Sequence, residues 1–160
     1  MRVLIAYAGR TGTTGKAARL LADCFGEASL RNLLETDATP ERYDAVVIGS
    51  CVRDGKIEPA VRKWLIRNEK TLSGMRKGVF LCNAFMNESQ TVIRENFPEE
   101  FIEDCVVIDS FGGEVDFSKL RFSEKMALRK QLKHHPEMEN MVPCLLTDTI
   151  AAFAEKIKAE

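Results

Sequence analysis

The sequence has 160 residues, of which 45% are hydrophobic and 29% charged, and its net charge at pH 7 is −1. This length is that of one domain, and the composition is that of a globular protein, which excludes intrinsic disorder and fibrous repeats. A net charge so close to zero argues against a nucleic-acid-binding protein, because such proteins depend on a basic surface for their affinity. We therefore predict a single globular domain over residues 1–160 with no nucleic-acid partner.

Neither a membrane span nor a disulfide framework is predicted. The longest apolar runs, such as residues 3–8 and 45–48, are far shorter than the ~20 residues of a membrane-spanning helix. The first run follows a single arginine and lacks a cleavage-site pattern, so we interpret it as a strand rather than a signal peptide. The five cysteines are widely separated, odd in number and form no C-x-x-C pair. Such free thiols are typical of a reducing cytoplasm, which is the location we predict.

Apolar runs of strand length alternate along the chain with segments of helical periodicity. Strands are predicted at residues 3–8, 28–33, 45–50, 79–82 and 105–109. Helices are predicted between them, where apolar residues recur at the three- and four-residue spacing of one helical face. Asp148, which precedes the last such stretch, is interpreted as a helix N-cap. This alternation predicts right-handed βαβ units and therefore a doubly wound α/β domain with a parallel sheet.

Function in such a domain is sought in the loops that follow the strands, because ligands bind beyond the carboxyl ends of a doubly wound sheet. These loops are residues 9–14, 50–56, 83–89 and 110–114. The first loop carries glycines and threonines and runs directly into a predicted helix. Convergent backbone N–H groups and the helix dipole favour a phosphate at such a place. An ordinary strand-to-helix turn, with glycine for tightness and threonine as a cap, is the alternative.

The spacing within the first loop excludes several phosphate-binding motifs. Gly9 is one residue too far from Gly15 for a nucleoside-triphosphate loop, and Ala17 stands where the magnesium-binding hydroxyl should be. The glycines at 9, 12 and 15 also fail the dinucleotide pattern G-x-G-x-x-G. No cysteine follows the first strand, which excludes a phosphatase with a cysteine nucleophile, and the paired acids of a phospho-accepting receiver domain are missing.

Two stretches carry a family resemblance. Residues 9–14 resemble the flavodoxin pattern S/T-x-S/T-G-x-T, with matches at Thr11, Gly12 and Thr14 and a departure at Gly9, which lacks the first hydroxyl. Residues 43–56 resemble the third strand and flavin loop of the menaquinone-dependent protoporphyrinogen IX dehydrogenase family, whose pattern is Y-D-x-V-V-I-G-A/S-x-I/V-R-x-G. The first loop also fits the R-x-G-x-T variant of that family.

The resemblance implies a flavodoxin-like fold, with a five-stranded parallel sheet in the order 2-1-3-4-5, helices on both faces, and FMN as the cofactor. The first loop would hold the phosphate, with Arg10 and Lys16 as neutralising cations or, alternatively, as surface residues only, and the second would lie against the ring. The loop after the fourth strand would bracket the pyrimidine side, with Phe85 and Phe111 as stacking rings or, alternatively, as core residues. The implied cofactor-binding residues are Gly9, Arg10, Thr11, Gly12, Thr13, Thr14, Ser50, Cys51, Val52, Arg53, Asp54, Gly55, Asn83, Ala84, Phe85, Phe111 and Gly112. No catalytic or metal-binding residue is predicted.

The resulting hypothesis is an FMN-binding oxidoreductase, in its most specific form a protoporphyrinogen dehydrogenase-like enzyme that passes electrons to a quinone. A small electron carrier that serves redox proteins is one alternative, and a non-redox phosphate- or nucleotide-binding regulatory module is another. The near-zero charge favours the enzyme over the carrier, because acidic carriers use a negative field to dock their partners. Residues 117–133 are basic and amphipathic and lie where the enzyme family carries a long insertion. They predict a solvated surface helix, with peripheral membrane contact as the alternative.

Overall fold

The computed structural model describes residues 1–84, 89–115, 118, 120–134, 136 and 143–159. The strands among them are β1 (Arg2–Ala8), β2 (Glu27–Asn32), β3 (Ala45–Arg53), β4 (Lys56–Ile57), β5 (Arg76–Cys82) and β6 (Val107–Ser110). The helices are α1 (Thr13–Asp23), α2 (Pro59–Leu72), α3 (Ser89–Asn96), α4 (Glu99–Glu103), α5 (Phe122–His134) and α6 (Thr147–Lys158), with a short 3-10 turn at Pro40–Arg42.

The sheet has the predicted topology. Five strands run parallel in the order β2-β1-β3-β5-β6, and the two-residue β4 pairs antiparallel with the end of β3. Counted without β4, this is the order 2-1-3-4-5, so that prediction is confirmed. The winding reverses between β1 and β3, and at such a switch point the loops after the two strands diverge and leave a crevice.

Helices cover both faces of the sheet, as apolar strands in a parallel sheet require. On one face, α1 and α6 pack against alternate residues of β1, among them Val3 and Ile5. On the other face, α2 and α3 pack against the intervening residues Leu4 and Ala6. Trp64 of α2 is buried there and donates its indole N–H to the backbone oxygen of Ala38 at 2.7 Å. The predicted helix–sheet–helix layering is thus confirmed.

Several element boundaries differ from the predictions by one to three residues, and two of these differences have a clear physical reason. β3 continues past residue 50 to Arg53, because the antiparallel pairing with β4 extends it into a hairpin. The prediction that Asp148 is the N-cap of the last helix is wrong, because α6 begins at Thr147 with Leu146 at the N-cap position. Asp148 lies instead in the first turn, where a negative charge is favourable to the helix dipole.

The basic segment predicted at residues 117–133 forms α5 from Phe122 onward, while residues 116, 117 and 119 lie outside the described part of the chain. Among the residues that the structure describes, no helix has the length and apolar character needed to cross a membrane.

Candidate functional site

A cleft of about 750 Å³ opens at the carboxyl ends of β1, β3 and β5, beside the switch point. Its volume falls within the range of about 300–1,000 Å³ that is usual for small-molecule sites. Ten of the residues implied by the sequence line it: Thr11, Thr13, Thr14, Cys51, Val52, Arg53, Asp54, Gly55, Asn83 and Ala84. The structure therefore brings the loops after three different strands together around one cavity.

The first loop presents the N-terminus of α1 to the cleft. Gly12, the N-cap residue, has φ +93°, a left-handed conformation that glycine adopts without strain, and no side chain caps this helix end. The first turn carries no acidic residue, and Thr11, Thr13 and Thr14 line the cavity beside it. The first N–H groups of a helix lack intrahelical acceptors and lie at the positive end of its dipole. This end of the cleft therefore presents backbone N–H donors and the positive end of a helix dipole.

Gly9, the departure from the flavodoxin pattern, has a steric cause. A Cβ atom at residue 9 would lie 2.5 Å from Oγ1 and 2.6 Å from Cβ of Thr14. Thr14 is buried in the first turn of α1, and a β-branched side chain in a helix has little rotamer freedom with which to move away. The loop can close onto the helix only with glycine at this position, so Gly9 shapes the cleft without lining it.

The two cations of the first loop are held by carboxylates. Arg10 Nε donates to Oε1 of Glu58 at 2.9 Å, and Glu58 itself is buried. Lys16, in the first turn of α1, has its Nζ 2.6 Å from Oε1 of Glu114, a residue that lines the cleft. The two positive charges that the resemblance implied near the phosphate are therefore each paired with a carboxylate, and neither side chain lines the cavity.

The hairpin between β3 and β4 forms the opposite end of the cleft. Asp54 and Gly55 both have positive φ, 50° and 71°, as two-residue turns of the primed type require. Asn96, at the end of α3, donates its side-chain amide to the backbone oxygen of Gly55 at 2.8 Å and accepts from Ile57 N at 3.2 Å. Asn96 thus fixes the turn from outside, and sequence reasoning missed it because nothing in the pattern of α3 indicates that contact.

Ser50 and Glu58 brace this hairpin from below. The buried Ser50 hydroxyl accepts from Glu58 N at 2.9 Å and donates to the backbone oxygen of Cys51 at 2.8 Å. The Glu58 carboxylate accepts from Arg10 in the first loop and lies 3.5 Å from Cys51 Sγ. Glu58, which the sequence analysis also missed, therefore links the first loop to the end of β3. Ser50, which the resemblance implies to be a cofactor-binding residue, does not line the cavity and supports the hairpin instead.

Two residues of the last loop, which the resemblance implies to be cofactor-binding, pack in the core instead of lining the cleft. Phe111 is fully buried, stacked on Phe80 with ring centroids 4.6 Å apart and edge-on to Phe153 at 5.1 Å. The prediction of a ligand-stacking ring at Phe111 is therefore wrong, and its alternative, a core residue, holds. Gly112 has φ +71°, and a Cβ there would lie 2.4 Å from the backbone oxygen of Cys144, so it is required for packing. Phe85 lies outside the described residues.

Asn83 and Ala84 follow β5 at the floor of the cleft. Asn83 Oδ1 accepts from the hydroxyl of Ser110 at 2.7 Å, which orients the amide from the neighbouring strand. A Cβ at Gly113 would lie 2.9 Å from the backbone nitrogen of Ala84, so the loop after β6 packs closely onto this segment. Contacts from β6 and from its following loop thus set the position of this part of the cleft wall.

The cleft also contains two neighbouring thiols, on paired residues of β3 and β5. Burial, together with the adjacent Glu58 carboxylate, raises the pKa of Cys51 to about 11. Burial raises the pKa of Cys82 to about 12, against the opposing effect of a hydrogen bond with Thr14. Both thiols are therefore protonated at neutral pH, and neither is suited to act as a nucleophile.

This protonation predicts the order in which the cysteines react. In the ligand-free chain at pH 8, we expect iodoacetamide to label the exposed Cys144 well before Cys51, because a thiol of pKa about 11 is about one-thousandth ionised at that pH. Labelling of Cys51 should accelerate as the pH is raised toward 11, as followed by peptide mass spectrometry. Equal labelling rates at pH 8 would contradict the assignment, and Cys144→Ser serves as the control that removes the fast site.

Comparison with known proteins assigns the chain to a family. The family model for the flavodoxin domain matches residues 4–140. The chain belongs to the flavodoxin domain family. No curated protein matches the chain significantly by sequence.

Solved structures of other flavodoxin domains share the fold. Oxidised flavodoxin 1 from Bacillus cereus is similar over 99% of this chain and 97% of its own, at 12% identity and a TM-score of 0.59. A flavoprotein from Lactobacillus acidophilus, in complex with FMN, is similar over 68% of this chain and 92% of its own, at 15% identity and a TM-score of 0.55. In rubredoxin oxygen:oxidoreductase from Desulfovibrio gigas, the match covers 99% of this chain and 37% of that protein, at 18% identity and a TM-score of 0.51. This chain therefore spans little more than a third of the oxidoreductase.

In this flavodoxin domain, α5 forms a further wall of the cleft. Together with the preceding turn, α5 contributes six residues to the lining of the cavity: Leu120, Glu124, Ala127, Leu128, Lys130 and His134. Glu124 forms an ion pair with Arg53 at the end of β3, which joins the wall to the hairpin. The sequence analysis left the role of this segment open, because periodicity cannot tell which loop a helix will cover.

Proposed function

We propose that this flavodoxin domain binds FMN in the cleft and acts as a flavin-dependent oxidoreductase. The observation that carries the proposal is the presence of two anchor points on one cavity: the uncapped N-terminus of α1 and the left-handed Asp54-Gly55 turn. When bound, FMN supplies reversible transfer of one or two electrons. The residues of the chain hold its phosphate and fix the position of its ring.

The phosphate end of the proposed site relies on dipoles. Arg10 and Lys16 already have carboxylate partners, so the dianion would be held by N–H groups of α1 and by the hydroxyls around Thr11 and Thr13. Such donors are fixed by the helix itself and need no side-chain ordering when the ligand arrives. The ion pairs of Arg10 and Lys16 limit the negative potential that Glu58 and Glu114 would otherwise impose on a phosphate.

The ring end of the proposed site is partly apolar. Val52 on the hairpin and Leu128 on α5 line the cavity, and Asn83 with Ala84 supplies polar groups at its floor. A flavin ring has two apolar faces and a polar pyrimidine edge, so this distribution supports the ring lying between hairpin and α5 with its edge toward residues 83–84. The fixed Gly55 turn then contacts the ring without needing to reorganise.

Visible absorption tests the proposal directly. After incubation with FMN and desalting, the protein is expected to retain flavin absorption that bleaches with dithionite. Riboflavin, which lacks the phosphate, is expected to bind at least ~100-fold more weakly, because two lost charge-assisted hydrogen bonds cost about 3 kcal/mol or more. Titrations of flavin fluorescence give both affinities. A colourless protein that leaves FMN fluorescence unquenched would refute the flavin site. Equal affinities for FMN and riboflavin would show that the phosphate does not bind at the N-terminus of α1.

A more specific reaction is supported by the outer wall of the cleft. Apolar Leu120 and the cation Lys130 line the same cavity, a combination that suits an apolar molecule bearing a carboxylate, whereas Arg53 is already paired with Glu124. Within the proposed function, we infer that such a molecule is the electron donor, as protoporphyrinogen IX would be, and that a quinone is the acceptor. Direct exchange with redox proteins, as a small electron carrier would perform, is the competing function.

A substrate assay distinguishes the dehydrogenase-like enzyme from the electron carrier. Flavin-loaded protein is mixed anaerobically with protoporphyrinogen IX and a water-soluble naphthoquinone, and porphyrin fluorescence is followed. The enzyme proposal predicts turnover with a raised KM for Lys130→Gln and an unchanged affinity for FMN. Absence of turnover in a protein whose flavin still accepts electrons from dithionite would favour the electron carrier.

A further inference from the structure

A second cavity, of about 740 Å³, lies outside the flavin cleft, between α2 and α4. Its apolar lining includes Leu65, Phe97 and Phe101, and Ile66 stands beside them with 70% of its surface exposed. We name this feature the α2–α4 groove. An exposed isoleucine beside a concave apolar lining is a typical feature of a surface that receives a partner.

The rim of the α2–α4 groove is acidic. Glu69, Glu100 and Glu103 line it and are exposed, and the exposed Arg62, which donates to the amide oxygen of Asn96, offsets only one of these three charges. Lys77 lies at the deep end, but it is buried and forms an ion pair with Asp104, so it does not offset the rim charges. A partner that fits this groove would therefore carry apolar side chains flanked by positive charge.

The outward side of α5 has that chemistry. Phe122 and Met126 are one helical turn apart and expose 79% and 50% of their surfaces. Lys125, Arg129 and Lys133 lie on the same side, which carries no acidic residue, whereas the opposite side of α5 lines the flavin cleft. The exposed stripe of α5 is thus cationic and apolar, and the α2–α4 groove is acidic and apolar.

The two surfaces cannot meet within one chain. α5 lies at the carboxyl ends of the strands, whereas the deep end of the groove is at Lys77, in the first residues of β5. Their dimensions match, since the thirteen residues of α5 extend about 20 Å and the fourteen residues of α2, which form one side of the groove, about 21 Å. We propose that α5 of one copy docks into the α2–α4 groove of a second copy, a head-to-tail helix-in-groove contact.

The variants that test this contact are chosen so that folding is not penalised. Glu69→Lys with Glu103→Lys reverses the charge at the rim of the groove. Both lysines lie in the last turns of their helices, α2 and α4, where the helix dipole favours cations. Lys125→Glu with Arg129→Glu reverses the α5 stripe and places a glutamate in the first turn of α5, where an anion is favourable. None of these four residues lines the flavin cleft.

Sedimentation velocity over about 1 µM to about 1 mM protein measures the association. The unmodified chain is expected to gain mass with concentration, less so at high salt because exposed charges are screened. Each double variant alone is expected to remain monomeric, since one of its two surfaces is lost. A 1:1 mixture of the two variants is expected to regain association, because the intact stripe of one fits the intact groove of the other and their two reversed surfaces also carry opposite charges.

A matched control carries the same charge change elsewhere: Arg19→Glu with Lys156→Glu, exposed on α1 and α6, should associate like the unmodified chain. Far-UV circular dichroism confirms that each variant is folded. The proposal is overturned if the unmodified chain is monomeric throughout, if the mixture stays monomeric, or if the control dissociates. It is also overturned if the monomeric chain instead binds phosphatidylserine vesicles through Lys125 and Arg129, which would assign the stripe to a lipid surface.

Discussion

Replacement of Phe111 by alanine is expected to lower the free energy of unfolding by about 3–5 kcal/mol, the range for large aromatic residues in a core. Its ring lies between Phe80 and Phe153, and the substitution removes both aromatic contacts and leaves a cavity that neighbouring strands cannot close. Urea unfolding, followed by the fluorescence of Trp64, measures the change, because this buried residue is the one tryptophan in the chain.

The matched control is Phe122→Ala, the same chemical change at a ring that is 79% exposed. It is expected to alter the free energy of unfolding by no more than about 0.5 kcal/mol in dilute protein. The milder Phe111→Leu variant, which retains a folded core, should bind FMN as the unmodified chain does. An unchanged free energy of unfolding in Phe111→Ala, or a selective loss of FMN affinity in Phe111→Leu, would indicate that Phe111 contacts the ligand rather than the core.

Substitution of Gly9 by serine should weaken FMN binding, although it restores the hydroxyl that the flavodoxin pattern has at this position. The new Cβ would lie 2.5 Å from Thr14 Oγ1 and must push the first loop away from α1. Such overpacking typically costs about 1–3 kcal/mol, which corresponds to a loss of about 5- to 150-fold in affinity if the loop alone absorbs it. Fluorescence titration with FMN measures the effect.

Gly26→Ser is the control for this prediction, because a Cβ at that exposed residue meets no atom within 4 Å. It should leave the affinity for FMN unchanged. Tighter FMN binding in Gly9→Ser would show that the loop has room for the hydroxyl and that its glycine is not sterically required. A loss of riboflavin affinity equal to the loss of FMN affinity would place the damage at the ring rather than at the phosphate.

Much of the fold could be predicted because its signals are local. Apolar runs such as residues 3–8 are too short for a helix and too apolar for a strand with one solvated face, so they indicate a parallel sheet covered on both sides. The first loop could likewise be located, since its glycines and threonines lead directly into a helix, and Thr11, Thr13 and Thr14 line the cleft. Asp148 was misassigned because an acidic residue suits both the N-cap and the first turn.

The part of the candidate site that escaped prediction depends on contacts between distant segments. Phe111 follows a strand at the carboxyl edge, where a ligand would be, and only the packing of α6 against β5 and β6 turns its ring into the core. Asn96 and Glu58 look like ordinary helix-end residues in the sequence, yet they hold the Gly55 turn and Arg10 across more than 40 residues of chain in each case.

The sequence by itself determined the layered α/β fold, the strand order that its family resemblance implies, and the loops that meet at the switch point. These features are encoded locally, because hydrophobic periodicity and turn residues depend only on residues a few positions apart in the chain. The tertiary structure decided which side chains within those loops face the cleft, that Arg10 and Lys16 are held by carboxylates, and that α5 closes one wall while exposing Phe122. Those outcomes depend on distances between segments far apart in the chain, and no local pattern of residue types encodes such distances.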